Sequence, residues 1–540
     1  MGPEQALGVM CSHASMNGVP SCANRLLLNQ TLRYDWRSTA LVRSDCCGDM
    51  QGIVEHGYVD NVQAAVVSAV SAGLQYCFGC GKTKDVNASR EGFAAAIAQG
   101  VLPVSSLDDA IAAGLLHRFQ LGEFDRVPEE GPFGSGYAAT VDSAEHHALA
   151  RQLVAASVVV LENDGLLPLA LARPAAKTDP RSTGQTVAVI GPFGHCTTMP
   201  SYTDRSWVSP NCYCHNYAGV PSNISTVFSA LAASLPGHMV RFEEGCAATP
   251  LDPPSNSSIA QAVRLAESAD VVILALGLGA NAEREGIDRY NLTLPTAQQA
   301  LLREVSIVTK QLVVLLFAAG PVDSPGRAPW PGNALLQVGY PGQEAGSGIT
   351  DVLLGAVNPS GRLPLTWVTD SYLAHVGNLT EYSTAGGAGR TYRYIANTSA
   401  YVNYWFGHGL SFTRFRYDNV AAAPMTEQGV VRVAFMLTNV GDQDGAEIVQ
   451  LYVTAPPLDV QFPTPIRSLC GVVKVAVSRG AASSQTFDIS MECMATVQPD
   501  GSSALSRTGM YSISVGGNQP GDPRGQPTTV VTVKASDLHV

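Results

Sequence analysis

ADVVILALGLG (269–279) and KQLVVLLFAAG (310–320) are uniformly apolar runs of strand length. Neither alternates apolar with polar residues. Each therefore predicts a strand covered on both faces, as in a parallel sheet with helices on either side. The flanking sequence fits that plan. TVAVIGPFG (186–194) reads as a strand entering a Gly-Pro turn. ALLQVGYPGQEAGSGITDVLLG (334–355) reads as strand, turn and helix, and VDSAEHHALARQLVAASVVVLEN (141–163) as a helix running into a strand. Residues 141–375 are thus expected to form a doubly wound α/β domain.

Outward from this domain the pattern changes twice. In residues 1–125, short apolar segments (GVMC, TALVRSD, AGLQYCF) alternate with helical stretches. NVQAAVVSAVSAG ends at Gly73, a C-cap candidate, and LDDAIAAGLLHRFQLG carries Asp108 and Asp109 in its first turn. About three β-α units can be counted, where a closed parallel barrel needs eight. Residues 126–140 are rich in Pro, Gly and acid and read as a linker, and 376–424 as an irregular connecting segment. From 425 to 540 strands alternate: VVRVAFMLTNV, AEIVQLYVTA, CGVVKVAVS, SSQTFDIS, GMYSISVGG and TTVVTVKA. Turn residues separate them, so a β-sandwich is expected.

Composition narrows the function classes. The 540 residues are 46% hydrophobic and 14% charged, with 33 Lys plus Arg against 45 Asp plus Glu, a net charge of −12. This argues against nucleic-acid or anionic-membrane binding, which needs clustered positive charge. No apolar run reaches the roughly 18 residues of a membrane span. Twelve cysteines and sequons at Asn29, Asn87, Asn223, Asn256, Asn291, Asn378 and Asn397 favour secretion. Yet MGPEQALGVMCSHAS lacks the basic and apolar regions of a signal peptide. The expectation is a cytosolic protein or a missing N-terminus.

Two places hold acids where chemistry is common. Asp45 ends the apolar strand TALVRSD, where a barrel-type strand carries its active-site groups; a helix N-cap or a surface turn is the alternative role. Glu283 and Glu285 follow the strand 269–279 in the loop GANAEREGIDRYNLTLP. That edge of an open α/β sheet binds ligands, although a solvated loop with Arg284 and Arg289 as salt partners explains the same residues. Together the sites offer a carboxylate nucleophile and a separate acid, as glycoside hydrolysis requires. GLGANA lacks the third glycine and the spacing of a dinucleotide fingerprint. Cys77-Phe-Gly-Cys80 and Cys212-Tyr-Cys214-His215 have no second pair at zinc-finger spacing. Neither a G-x-S-x-G elbow nor a P-loop is present.

VMCSHASMNGVPSCAN (9–24) resembles the V-M-C-S-Y-N-x-x-N-G-x-P-x-C-A segment of glycoside hydrolase family 3, in its β-xylosidase/α-L-arabinofuranosidase branch. LVRSDC (41–46) is similar to the nucleophile strand of that family, and GLGANAEREGIDRYNLTLPTAQQ (277–299) to its acid/base loop. HGY (56–58), SAGLQYCFGC (71–80), GPVD (320–323), GYPGQEAG (339–346), NPSGRLPLTW (358–367), GRTYRY (389–394) and FGHGLSFTRF (406–415) follow in the family's order. LTNVGDQDGAEIVQLYV resembles its fibronectin type III-like domain.

The resemblance implies a multidomain α/β fold: a partial (β/α)8 barrel over 1–125, the α/β sandwich domain, and a C-terminal fibronectin type III-like β-sandwich. It implies a retaining exo-β-glycosidase, first a xylan 1,4-β-xylosidase releasing terminal β-D-xylose. Asp45 would be the nucleophile and Glu283 the acid/base, with Glu285 as the other candidate. Met10, His13 and Cys46 would line the sugar subsite. The two carboxylates, from different domains, would close on one bond. No cofactor or metal is implied, and the partner is a xylo-oligosaccharide or other β-glycoside, in the extracellular space or cell wall. Two alternatives stand beside this reading. One is a β-glucosidase of the same family, placed second because Cys46 stands where that branch usually has Trp. The other is a non-catalytic carbohydrate-binding relative. His13 and Ala14 depart from the family's Tyr and Asn, and Gly279 and Ala282 from its usual loop residues. The front half of the barrel, with its sugar-gripping residues, has no counterpart here, which points to an N-terminally shortened chain of little activity. Disulfides are expected between Cys11 and Cys22, and between Cys46 or Cys47 and Cys77 or Cys80.

Overall fold

The computed structural model describes residues 6–45, 48–76, 83–124, 140–171, 184–195, 221–247, 256–279, 282–283, 288–323, 332–377, 383–457, 463–497, 502–506, 508–525 and 528–538. The chain divides into two compact units, Met1–Val141 and Asp142–Val540.

In the first unit, strand Gly8–Cys11 pairs in parallel with Leu41–Ser44. A further parallel bridge joins Arg43 to Tyr76, so Leu41–Ser44 lies between two neighbours. Helices Gly48–Glu55, Val62–Ala72, Thr83–Ala98 and Ser105–Gln120 complete the β/α alternation. The second begins where the Asn61 side chain accepts the Ala64 N–H and stops at Gly73, whose φ of 117° suits only glycine. Cys11, Leu28, Val42, Met50, Ile53, Val66 and Leu74 form the core. The Cys11–Cys22 disulfide is present. The expected pairing of Cys46 or Cys47 with Cys77 or Cys80, and the linker through 139, lie outside the described residues.

The second unit is built on a six-stranded sheet. Its order is Val159–Asn163, Ala334–Gln337, Leu312–Phe317, Val271–Gly277, Thr186–Ile190 and Met239–Glu243, with the first strand antiparallel to the rest. The uniform apolar runs now have their explanation. Val272, Leu274 and Leu276 pack with Leu301 and Leu302 on one face, while Val271, Ile273 and Ala275 pack with Val227, Leu231 and Ile349 on the other. Each large side chain so buried stabilises the fold by about 1.5–3 kcal/mol.

The C-terminal strands form two antiparallel sheets. One holds Phe415–Ala422, Val430–Asn439 and Ala482–Ser490; the other holds Ser468–Val477, Gly445–Thr454, Met510–Gly516 and Thr529–Lys534. The first sheet starts at Phe415, ten residues before the sequence pattern suggests. Its edge strand is broken by a register shift between Asp418 and Ala421, with Asn419 at φ 55°. A bulge of this kind hides the period-2 signal. The segment expected to be irregular also contributes Val402–Tyr404, paired with Trp367–Val368, and the buried Ile395 and Trp405. Cys470–Cys493 is a disulfide that the sequence pattern did not single out.

Two of the quoted motifs turn out to join the α/β sheet to the sandwich. Arg362, of NPSGRLPLTW, lies 3.1 Å from Glu447, the side chains being 8% and 2% exposed, and its Nε donates to the Gly517 carbonyl. His408, of FGHGLSFTRF, meets Asp522 at 2.8 Å through Nδ1 and the Leu161 carbonyl at 3.0 Å through Nε2.

Candidate active site

Asp45 follows directly on the strand Leu41–Ser44. Ser44 is fully buried and donates its backbone N–H to Tyr76, which fixes the strand end from which Asp45 projects. Because the neighbouring strands are parallel, their C-terminal ends come together. His13, two residues beyond Gly8–Cys11, places Nε2 3.8 Å from Asp45 Oδ2, with side chains 54% and 40% exposed. That separation is electrostatic contact rather than a hydrogen bond. Met10, in register with Arg43, is half exposed, as is Tyr76. The segment after His13 is a hairpin, Ser15–Met16 against Val19–Pro20, turned by Asn17 and Gly18 at φ 52° and 81°. Both central residues with positive φ make the Asn-Gly pair the natural choice. Cys46 lies outside the described residues. Tyr76 was not singled out from the sequence, although its strand, SAGLQYC, was.

Glu283 sits beyond the C-terminal end of Val271–Gly277. Gln298, fully buried, closes that strand end: its side-chain amide donates to the Gly277 carbonyl and accepts the Gly277 N–H, at 2.9 and 2.8 Å. Glu283 Oε1 accepts the Ala319 N–H and the Tyr340 hydroxyl, both at 2.7 Å. Arg289 Nε lies 3.2 Å from Oε2, and its other end donates to the Pro321 carbonyl. Both charged side chains are only about 15% exposed, at 15% for Arg289 and 14% for Glu283. Glu283 is therefore salt-bridged to Arg289, and both side chains are largely buried rather than solvated. Asp323 and Asp370 continue the frame, accepting from Asn403, the Asp370 N–H and the Leu292 N–H. Burial, with the charge of Glu283 beside it, pushes the Tyr340 phenol well above its ordinary range. Tyr340 belongs to GYPGQEAG; the sequence offered the motif, but only folding brings its hydroxyl to Glu283. Glu285 lies outside the described residues. Among those residues no group of three or more His, Cys, Asp or Glu could hold a metal ion.

Chemically, one unit presents a partly exposed strand-end carboxylate, and the other a carboxylate met by three donors. Residues 158–412 match the glycosyl hydrolase family 3 C-terminal domain, and 447–519 a fibronectin type III-like domain. The chain is 30% identical to a probable exo-1,4-beta-xylosidase of Aspergillus oryzae over 98% of its own length and 63% of that protein. It is 28% identical to a probable beta-D-xylosidase 7 of Arabidopsis thaliana, over 95% and 66%. Among solved structures it resembles a GH3 exo-beta-xylosidase, XlnD, in complex with a xylobiose aziridine probe: TM-score 0.78, 26% identity, 98% of this chain and 66% of that one. The chain thus spans less than two thirds of the length of these curated relatives.

Proposed function

The chain belongs to glycoside hydrolase family 3, and from that premise we propose that the protein carrying it is a retaining exo-β-glycosidase, a β-xylosidase acting on xylo-oligosaccharides. What supports this reading most is the placing of Asp45 directly past the end of a parallel strand, in a chain similar over nearly its whole length to proteins named xylosidases. The two parallel strands and the parallel bridge at Tyr76 are read as part of a (β/α)8 barrel, whose strand ends carry catalytic groups.

In the proposed reaction an Asp45 oxygen attacks the anomeric carbon as the glycosidic C–O bond breaks. The leaving oxygen takes the Glu283 proton. Water then attacks the glycosyl ester, returns a proton to Glu283 and releases the sugar with retained configuration. His13 and Met10 border Asp45 and are assigned to the sugar subsite, with Cys46. Glu285 stays the alternative acid/base. Disulfides and exposed sequon residues Asn29, Asn223 and Asn291 support an extracellular location.

Hydrolysis of nitrophenyl β-xyloside, β-glucoside and α-L-arabinofuranoside by the protein carrying this chain tests the reading, with xyloside expected to turn over fastest. A faster glucoside would favour the second reading, β-glucosidase, which a TM-score of 0.75 and 26% identity to a b-glucosidase of Erythrobacter marinus supports. Sugar binding without turnover would leave a carbohydrate-binding protein.

A further inference from the structure

A carboxyl group that acts first as acid and then as base must present one defined oxygen to the substrate. In Glu283 the two oxygens are not equivalent. Oε1 has two lone pairs, and two donors meet it, the Ala319 N–H and the Tyr340 hydroxyl. Arg289 approaches the other oxygen. Resting on the reading of Glu283 as acid/base, we propose that Tyr340 is a positioning residue that, with the Ala319 N–H, occupies Oε1 and makes Oε2 the oxygen that gives and regains the proton.

The phenol is suited to following that cycle. Its oxygen also lies within hydrogen-bond reach of the Leu278 carbonyl. One hydroxyl hydrogen thus serves two acceptors. It is drawn to Oε1 when Glu283 is ionised, and is released toward Leu278 when the carboxyl is neutral. Burial keeps the phenol protonated across the working pH range, so it is a donor in both steps. Tyr340 stands close behind the strand Ala334–Gln337, and Ala319 close behind Leu312–Phe317, so both donors sit at the ends of buried strands rather than on a free loop. Rigid placement of this kind is what orientation in catalysis needs.

The test is a carboxyl titration that needs no turnover. In the 540-residue chain labelled with [13C]glutamate at the side-chain carboxyl, Glu283→Gln identifies the Glu283 signal. Tyr340→Phe removes one oxygen and keeps the ring. It is expected to weaken the acidity of Glu283 about tenfold, moving its titration midpoint upward by about one pH unit, because a donor to the ionised form is lost. In the unmutated chain, the 13Cζ signal of Tyr340 is expected to shift at the same midpoint as Glu283, which covers a variant that fails to fold. An unmoved midpoint in a folded Tyr340→Phe, or a Tyr340 signal that ignores the Glu283 titration, overturns the proposal. The underlying reading fails separately. If Glu283→Ala leaves turnover of a xylo-oligosaccharide intact, Glu283 is not the acid/base, whatever the titration shows.

Discussion

Asp45 and Glu283 have the same functional group and opposite surroundings. The Asp45 side chain is 40% exposed, with an imidazole 3.8 Å away; Glu283 is 14% exposed and held by an arginine, a phenol and a backbone N–H. In the proposed roles the first attacks carbon and the second exchanges a proton. The two substitutions should therefore differ in kind. Asp45→Ala removes the only group assigned to form the glycosyl ester, so turnover should fall almost completely. Glu283→Ala should spare the first step with a nitrophenolate, which leaves without protonation, and stall the second, where water lacks its base. Azide needs no base and should restore rate in Glu283→Ala, giving a β-glycosyl azide. Rescue of Glu285→Ala instead would transfer the role to Glu285. The position of Asp45 at a strand end was legible in the sequence because an acid closing an apolar strand is a local pattern. Tyr340 was not, since it stands 57 residues from Glu283 and nothing local marks the contact.

At the scale of elements, the helix Ala144–Ser157 is tied down by charge as well as by packing. His147 Nδ1 lies 2.6 Å from Glu344, at the turn before helix Ala345–Leu353, and Nε2 lies 2.9 Å from Asp142. The hydrogen bond to Glu344 foremost, with the charge of Asp142, raises the His147 pKa above 6.5. A raised folded-state pKa stabilises fully below the unfolded value and is lost as pH climbs through the folded one. The Tm advantage of the unmutated chain over His147→Gln should therefore be largest between about pH 5 and 6.5, where the carboxylates are ionised, and shrink at higher pH. An advantage that is flat or grows with pH in thermal melts would contradict this. Strands such as Val271–Gly277 were legible because burial on both faces leaves a uniformly apolar run. Phe415–Ala422 was not, because its bulge breaks the alternation, and the disulfide from Cys470 to Cys493 spans 23 residues that no local pattern connects.

Across the whole molecule, the sequence divides more finely than stability should. The α/β sheet and the sandwich belong to one compact unit, joined by the buried ion pair of Arg362 with Glu447 and by the buried hydrogen bond between His408 and Asp522. Removing one partner strands a buried charge and costs about 3–5 kcal/mol. Calorimetry of Arg362→Ala should show a lowered transition that splits, as the sandwich melts apart from the sheet. A single transition at the original temperature would show that Arg362 does not couple them. The claim on which the functional reading depends is the identity of the nucleophile. Its most direct measurement is covalent trapping: the protein carrying this chain is incubated with 2-deoxy-2-fluoro-β-D-xylosyl fluoride, digested and mapped by mass spectrometry. The fluoroxylosyl group is expected as an ester on Asp45, in the peptide that contains LVRSDC. A label on any other residue, or complete turnover of substrate by Asp45→Ala, would contradict it.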